Sequence, residues 1–208
     1  MALLEAVELT CHRGDRTLFE GMSFRVQEGE VLQVHGPNGG GKTTLLRILC
    51  GLTLPTSGQV LWREHEVTRG TWSDTAEFRA QTCFLGHTNG VKAELTPIEN
   101  LRVWQALYET PSEDALEAAI EDVGLGGFEE SLTLTLSAGQ RRRIALARLL
   151  VSNAALWVLD EPFTSLDAQA VKWVESRVAA HADAGGTVIL TSHQLANLDT
   201  PVSRLTLS

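Results

Sequence analysis

The sequence predicts an α/β fold that has a mostly parallel sheet core, a small antiparallel β subdomain and a helical insert. Apolar runs at residues 31–35, 155–159 and 187–191 predict strands, and the first ends abruptly in glycines, as a buried parallel strand does. A helical pattern occupies about residues 88–152 between two of these strands. Strands that alternate with helices imply parallel pairing through right-handed crossovers. We therefore predict a single domain over residues 1–208, with the helical subdomain inserted into its α/β core.

The antiparallel part is predicted at the beginning of the chain. Residues 3–9 and 22–26 have the composition of short strands. Arg13-Gly14-Asp15 between them is typical of a turn, so the two strands are expected to pair antiparallel.

Five helix starts follow from local patterns. From Lys42 onwards the apolar spacing is that of a helix with one buried face. Residues 96–99 have the spacing of a capping box with proline at the first helical position, and residues 137–140 repeat that spacing at the start of a helix through residue 150. An amphipathic helix is expected over residues 113–123, and another after Asp167.

Composition and charge exclude some function classes. Acidic residues outnumber basic ones by 26 to 17, and the net charge of −9 argues against nucleic acid as the main partner. No segment approaches the ~20 consecutive apolar residues of a membrane span, and the N-terminus lacks the basic region of a signal peptide. A membrane role would therefore require recruitment by another subunit. Cys11, Cys50 and Cys83 lie far apart and predict reduced thiols rather than a zinc site or a disulfide framework.

A phosphate-binding loop is predicted between the strand at 31–35 and the helix that follows. The segment that matches G-x-x-x-x-G-K-[ST] is Gly36-Pro37-Asn38-Gly39-Gly40-Gly41-Lys42-Thr43. Glycines let backbone N–H groups point towards phosphate oxygens, and the helix adds its positive N-terminus. Lys42 is expected to reach the β- and γ-phosphates of a nucleotide, and the Thr43 hydroxyl to ligate Mg²⁺. Thr44, the next residue, is assigned to the same nucleotide site.

Two adjacent carboxylates end the apolar strand at residues 155–159. Asp160 is placed to hold Mg²⁺ through water, and Glu161 to polarise an attacking water as general base. Solvated acids at a strand end are common, so this pair alone does not decide between a catalytic and a structural interpretation.

The segment Leu136-Ser137-Ala138-Gly139-Gln140 is followed by three arginines at residues 141–143. A serine hydroxyl and exposed backbone amides at a helix start form an anion site without a lysine. Such a site fits against the γ-phosphate held by a second copy of the chain. A capped surface helix with a solvated basic face is the alternative, and the segment by itself does not separate the two.

Taken in order along the chain, these motifs resemble those of ABC-transporter ATPases: the phosphate loop, the L-S-x-G-Q segment, the strand with Asp160 and Glu161, Ser165-Leu166-Asp167, and a strand followed by His193. The resemblance covers essentially the whole chain. It implies an ATPase that binds ATP and Mg²⁺ and dimerises around them, with Ser137, Gly139 and Gln140 facing the partner's nucleotide. It also implies that Asp167 belongs to the loop that communicates between protomers, and that His193 contacts the γ-phosphate and supports catalysis with Lys42 and Glu161.

The sequence departs from the family pattern at three positions. His87 stands where the family usually has a glutamine; a histidine can still reach a water or the metal, and its protonation near neutral pH adds a variable. Arg13 stands about where the family has an adenine-stacking aromatic, and because a guanidinium plane also stacks on a purine, we predict that Arg13 supports adenine. Ala138 replaces a glycine of the L-S-x-G-Q segment, which is a mild change.

Longer runs narrow the resemblance to the ATP-binding subunits of cytochrome c maturation haem export systems. The runs are CHRGDRTLFEGMSF, GGGKTTLLRILCGL, FLGHTNGVKAELTPIENL, LSAGQRRRIALARL and WVLDEPFTSLD. This resemblance implies a peripheral ATPase at the cytoplasmic face of a bacterial inner membrane, docked on an integral-membrane permease and haem-handling subunits. It does not indicate whether haem touches this chain, and we assign no residue to haem.

Other functions remain as alternatives. The nearest is the ATPase subunit of another ABC exporter, for lipid, peptide or drug. A non-transport ATPase acting on ribosomes or DNA is disfavoured, because such relatives carry two cassettes or long coiled-coil insertions and this chain has neither. A non-catalytic ATP-binding subunit is disfavoured by the presence of Glu161 and His193.

Overall fold

The computed structural model describes residues 2–69, 72–107, 110, 112–192, 198 and 200–207. Within these ranges the strands are β1 Ala2–Arg13, β2 Arg16–Gln27, β3 Val31–His35, β4 Ser57–Trp62, β5 His65–Glu66, β6 Thr82–Leu85, β7 Leu156–Leu159, β8 Thr187–Thr191 and β9 Val202–Thr206. The α-helices are α1 Lys42–Leu49, α2 Trp72–Ala80, α3 Pro97–Gln105, α4 Glu113–Asp122, α5 Ala138–Ala147 and α6 Ala168–Asp183.

A five-stranded sheet with the order β6-β7-β8-β3-β9 forms the centre, and every neighbouring pair in it is parallel. All residues of β7 and β8 are buried, as apolar strands covered on both faces should be. Because the strands are parallel, their carboxyl ends meet at one edge, where β3, β7 and β8 lead into Gly36, Asp160 and Ser192. The predicted parallel core is confirmed.

A separate antiparallel sheet has the order β2-β1-β4-β5. The two strands predicted at residues 3–9 and 22–26 exist, but they extend to a turn at residues 14–15 and form a much longer hairpin. A bulge interrupts the pairing of β1 with β4 between Val7 and Thr10. Gly58 lies opposite this bulge with φ +84°, and a Cβ there would stand 2.3 Å from the Glu8 carbonyl oxygen. Only glycine fits this close approach of two backbones.

Helices α3, α4 and α5 surround an apolar cluster of their own, which includes Leu101, Leu116, Ile120 and Ile144. Both predicted capping boxes form, with Thr96 and Glu99 at α3 and Ser137 and Gln140 at α5. Helix α5 was expected to run through residue 150. It ends at Ala147 because the next amides bond three residues back rather than four, which tightens the last turn.

Several elements were not predicted from the sequence, namely β4, β5, α2, β6, β9 and a 3-10 turn at Thr133–Thr135. In the part of the chain that the structure describes, no helix is both long enough and apolar enough to cross a membrane. The three cysteines are free and buried. Burial raises the pKa of the Cys83 thiol to about 12, which leaves it protonated and unreactive at neutral pH.

Candidate functional site

The phosphate loop connects β3 to α1 at the carboxyl edge of the parallel sheet. Gly41 occupies the N-cap position of α1 in a left-handed conformation, with φ 94° and ψ 5°. Lys42 is buried, and its Nζ donates hydrogen bonds to the carbonyl oxygens of Gly36 at 2.8 Å and Pro37 at 3.1 Å. The ammonium group is thus held against the loop, so that an incoming phosphate oxygen can replace the carbonyl acceptors.

Asp160 lies at the end of β7 with 1% of its surface exposed, and hydroxyl groups from two other segments bind its carboxylate. Thr43 Oγ1 donates to Oδ2 at 2.8 Å, and Thr191 Oγ1 donates to Oδ1 at 2.8 Å. The same Thr191 oxygen accepts a 2.9 Å hydrogen bond from the backbone N–H of Glu161. Two sequence-distant segments therefore fix the two predicted acidic residues.

A cavity of about 370 Å³ opens between the phosphate loop and the two carboxylates. It is lined by Leu18, Asn38, Gly39, Gly41, Lys42, Thr43, Thr44, His87, Asp160 and Glu161. The sequence predicted every one of these residues except Leu18. Gly36, Pro37 and Gly40 do not line the cavity. They belong to the turn of the loop, in which the Gly40 N–H donates to the Pro37 carbonyl oxygen at 3.0 Å.

Four predicted binding residues, Ser137, Gly139, Gln140 and Asp167, also lie outside the lining of this cavity. The Ser137 hydroxyl accepts from the Gln140 N–H at 3.2 Å, and the Gln140 side chain accepts from the Ser137 N–H at 2.9 Å, so each caps the start of α5. A Cβ at Gly139 would stand 3.2 Å from the Ser165 carbonyl oxygen. The L-S-x-G-Q segment thus packs against the loop that contains Asp167.

Arg13 ends β1 at the tip of the hairpin, is exposed, and does not line the cavity. It pairs across the hairpin with Arg16. Arg16 is nearer the phosphate loop, because its Nη1 lies 3.6 Å from where a Cβ on Gly39 would be. Sequence reasoning did not single out Arg16 or Leu18, although both lie within three residues of the predicted turn.

The Asp167 carboxylate links two helices, because it binds a side chain of α5 and a backbone amide of α6. One carboxylate oxygen accepts from the Ala170 N–H at 2.8 Å and caps α6, while the other accepts from Arg143 Nη2 at 2.7 Å. The backbone N–H of Ala170, helped by the Arg143 charge, lowers the pKa of this carboxyl group. Arg143 also donates from Nη1 to the Val123 carbonyl oxygen at the end of α4.

Arg142 is a further site residue that sequence reasoning missed. The basic run at residues 141–143 admitted a solvated helix face as one interpretation, but Arg142 is only 3% exposed. Its guanidinium donates to the carbonyl oxygens of Gly86, Asp160 and Glu161 at 3.0, 3.3 and 2.9 Å, and to Asn89 Oδ1 at 3.2 Å. Burial lowers its pKa, against the opposing effect of the two neighbouring carboxylates.

His193 lies outside the described residues. Its predicted role therefore stays a prediction from the sequence. The position follows β8, whose last residue, Thr191, binds Asp160 and Glu161.

The donor set at the cavity fits Mg²⁺. The Thr43 hydroxyl oxygen and an Asp160 carboxylate oxygen lie next to each other, joined by a hydrogen bond. Mg²⁺ prefers oxygen ligands of these kinds. Among the described residues, no group of three or more histidine, cysteine or acidic side chains could hold a metal ion. An ion at Thr43 and Asp160 would be held by one or two protein oxygens, with phosphate and water as its other ligands.

Comparison with known proteins identifies the class that this fold and cavity define. The family model described as ABC transporter matches residues 19–164. The chain belongs to the ABC transporter family. Among curated relatives, it is 49% identical over 205 residues to the cytochrome c biogenesis ATP-binding export protein CcmA of Hahella chejuensis, which covers 99% of this chain and 95% of that protein. The protein of the same name from Dechloromonas aromatica is 46% identical over 198 residues and covers 94% and 95%.

Solved structures share the fold. A dimeric ATP-binding cassette in a post-hydrolysis state, bound to ADP and Pi, superposes with a TM-score of 0.87 at 21% identity and covers 99% of this chain and 96% of that one. A putative ABC transporter ATP-binding protein from Pyrococcus furiosus superposes with a TM-score of 0.81 at 26% identity, covering 98% and 96%.

Proposed function

We propose that this chain is the ATP-hydrolysing subunit of an ABC transporter complex that serves cytochrome c biogenesis, coupling ATP hydrolysis to haem export or to release of a haem chaperone. The observation that carries the ATPase part is the cavity in which Lys42, Thr43, Asp160 and Glu161 meet. The pathway is supported by relatives that share almost half of their residues with this chain over nearly its whole length.

Nucleotide binding is assigned to the phosphate loop. Backbone N–H groups of the loop and the N-terminus of α1 face the β- and γ-phosphates, and Lys42 exchanges its two carbonyl acceptors for phosphate oxygens. Thr43 and Asp160 would hold Mg²⁺, which supplies charge neutralisation between the phosphates when bound. Arg13 is assigned to adenine by resemblance, and its position on the hairpin beside the loop is compatible with that role.

Hydrolysis is assigned to Glu161 as the general base. Its side chain lines the cavity together with His87, so a water between the γ-phosphate and these side chains can be both oriented and deprotonated. Lys42, and His193 by resemblance, would stabilise the charge that develops on the phosphoryl group.

The L-S-x-G-Q segment supports a composite site formed by two copies. Ser137, Gly139 and Gln140 do not line the cavity of their own chain. We therefore assign them to the γ-phosphate bound by the partner protomer in an ATP-dependent homodimer. Asp167 lies two residues after Ser165, which packs on Gly139. We assign it to the coupling of conformational changes between the two nucleotide sites.

The remaining partners are an integral-membrane permease and haem-handling subunits, which would hold the chain at the cytoplasmic face of the bacterial inner membrane. No nucleic acid partner and no direct haem contact are proposed. We also propose a single ATP-binding domain over residues 1–208 with a helical subdomain at about 88–152, since α3, α4 and α5 have their own apolar cluster.

The test is to purify the chain with its native membrane partners. We expect cytochrome c maturation subunits to co-purify, and release of the haem chaperone to require ATP and Glu161. Co-purification of a different permease, with ATP hydrolysis unlinked to haem, would contradict the role in cytochrome c biogenesis. The chain would then be the ATPase subunit of another exporter. Absence of ATP hydrolysis in the intact complex would contradict the proposal as a whole.

A further inference from the structure

A single buried arginine joins three segments around the cavity. Arg142 lies on α5, five residues after Ser137, and only 3% of its surface is exposed. Its Nη1 donates to the Gly86 carbonyl oxygen and to Asn89 Oδ1, while its Nη2 donates to the carbonyl oxygens of Asp160 and Glu161. An arginine is suited to this task because its planar fork aims donors in fixed directions and keeps its charge.

The acceptors belong to, or lie next to, three residues that line the cavity. Gly86 and Asn89 lie on either side of His87, and the other two acceptors belong to the carboxylate residues themselves. One guanidinium group thus connects the segment that contains His87 to Glu161 and helps to set the distance between them. The same group connects both residues to the helix that begins with the L-S-x-G-Q segment.

Glu161 needs such support because its backbone is left-handed, with φ +50°, a conformation that non-glycine residues rarely adopt. Thr191 Oγ1 accepts from its N–H at 2.9 Å, and Arg142 Nη2 donates to its carbonyl oxygen at 2.9 Å. Both the N–H and the carbonyl group of Glu161 are therefore hydrogen-bonded to side chains of other segments. The direction in which the Glu161 side chain leaves the chain depends on this backbone conformation.

We propose that Arg142 is a positioning residue for the hydrolysis step, which holds Glu161 and the His87 segment in register with α5. The proposal rests on the proposed function, with Glu161 as general base. We expect nucleotide binding not to depend on Arg142, because Lys42 donates to the Gly36 and Pro37 carbonyl oxygens and Thr43 donates to the Asp160 side chain, without Arg142. Loss of Arg142 should therefore lower kcat while leaving KM for ATP nearly unchanged.

The variants are Arg142→Ala and Arg142→Lys, assayed in the intact transporter complex for kcat, KM and thermal stability. We expect Arg142→Ala to lower kcat by roughly a hundredfold, since a misplacement of about 1 Å at a reacting group has that effect. Arg142→Lys keeps the charge but donates from one nitrogen, so it should recover only part of kcat. The matched control is Arg148→Ala, which removes another buried arginine, one that donates to the Gly90 carbonyl oxygen. It should lower the melting temperature with a much smaller loss of kcat.

Three results would overturn the proposal: kcat of Arg142→Ala within about twofold of the unaltered complex, a rise in KM that matches the loss of kcat, or equal losses in the Arg142 and Arg148 variants. If Arg142→Ala does not fold, full activity of Arg142→Lys overturns it instead. An unaltered complex that hydrolyses no ATP refutes the proposed function, which separates that failure from failure of this inference.

Discussion

Thr43 Oγ1 donates a 2.8 Å hydrogen bond to Asp160 Oδ2, although 117 residues separate the two along the chain. The parallel sheet explains the contact. Strands β3 and β7 flank β8, so the helix start that follows β3 and the acid that ends β7 meet at the same edge. This hydrogen bond joins the two residues to which we assign Mg²⁺.

Removal of the Thr43 hydroxyl should weaken nucleotide binding only when Mg²⁺ is present. For Thr43→Ala we expect MgATP affinity to fall by about tenfold, the value of one hydrogen bond to a charged group. Thr43→Ser keeps the hydroxyl and should bind MgATP nearly as the unaltered chain does. Titration with ATP in the presence and absence of Mg²⁺ measures the effect. Equal losses of affinity under both conditions would contradict the assignment of Thr43 to the ion.

Lys42 should carry a large share of nucleotide affinity. Lys42→Ala removes a buried ammonium group that two carbonyl oxygens hold at the loop, and we expect ATP affinity to fall by roughly tenfold to a hundredfold. Lys172→Ala, on the exposed face of α6, removes a charge of the same kind and should leave binding unchanged. Isothermal titration of both variants tests this, and near-normal affinity in the Lys42 variant would refute the role of this lysine.

Acid should destabilise the fold through His181. The imidazole stacks on the Trp157 indole, with ring centroids 3.8 Å apart and an angle of 4° between the planes, and burial lowers its pKa. The unfolded chain therefore binds a proton more readily than the folded chain does. The stabilisation from the neutral ring is complete above the ordinary histidine pKa of 6.5 and is lost as the pH falls towards the lower folded pKa.

His181→Gln is neutral at every pH and isolates this effect. We expect the variant to be less stable at pH 7.5, but with a free energy of unfolding that declines less between pH 7.5 and pH 5.5. Urea unfolding at several pH values measures both slopes. Identical slopes for the variant and the unaltered chain would show that His181 does not titrate on unfolding in this range.

Gly58 should tolerate no side chain. A Cβ there would stand 2.3 Å from the Glu8 carbonyl oxygen, in a backbone at φ +84°. We expect Gly58→Ala to lower the free energy of unfolding by about 2–4 kcal/mol, from overpacking and backbone strain together. Gly126→Ala is the control, because a Cβ at Gly126 would have no atom within 4 Å. Thermal unfolding of the two variants decides, and similar stabilities would contradict the close approach at the bulge.

The sequence was sufficient where local chemistry determines structure. The strands at 31–35 and 187–191 match β3 and β8 to the residue, since a run of apolar residues buried on both faces has few alternatives. The starts of α3 and α5 were predicted from capping boxes that both form. The phosphate loop was identified because its glycines and lysine have a fixed spacing.

It was insufficient where long-range contacts decide. Strand β9, at the edge of the sheet, has no buried residue and hence no apolar pattern, and β5 has only two residues. The role of Arg142 depends on backbone carbonyl groups 56, 18 and 19 positions away. Every residue has a carbonyl group, so no pattern of side chains predicts which ones will act as acceptors. The arginine run at 141–143 was visible, but only the fold shows that Arg142 is buried while its two neighbours are partly buried.

The assignment of Glu161 as general base is tested most directly by comparing ATP hydrolysis of the intact complex with that of its Glu161→Gln variant. We expect the variant to bind MgATP but to lose at least about a hundredfold in phosphate release, the contribution of a general base. Glu117→Gln, on the exposed face of α4, is the matched control and should turn over normally. Undiminished turnover in the Glu161 variant would contradict the assignment of this carboxylate to catalysis and, with it, the mechanism proposed for this site.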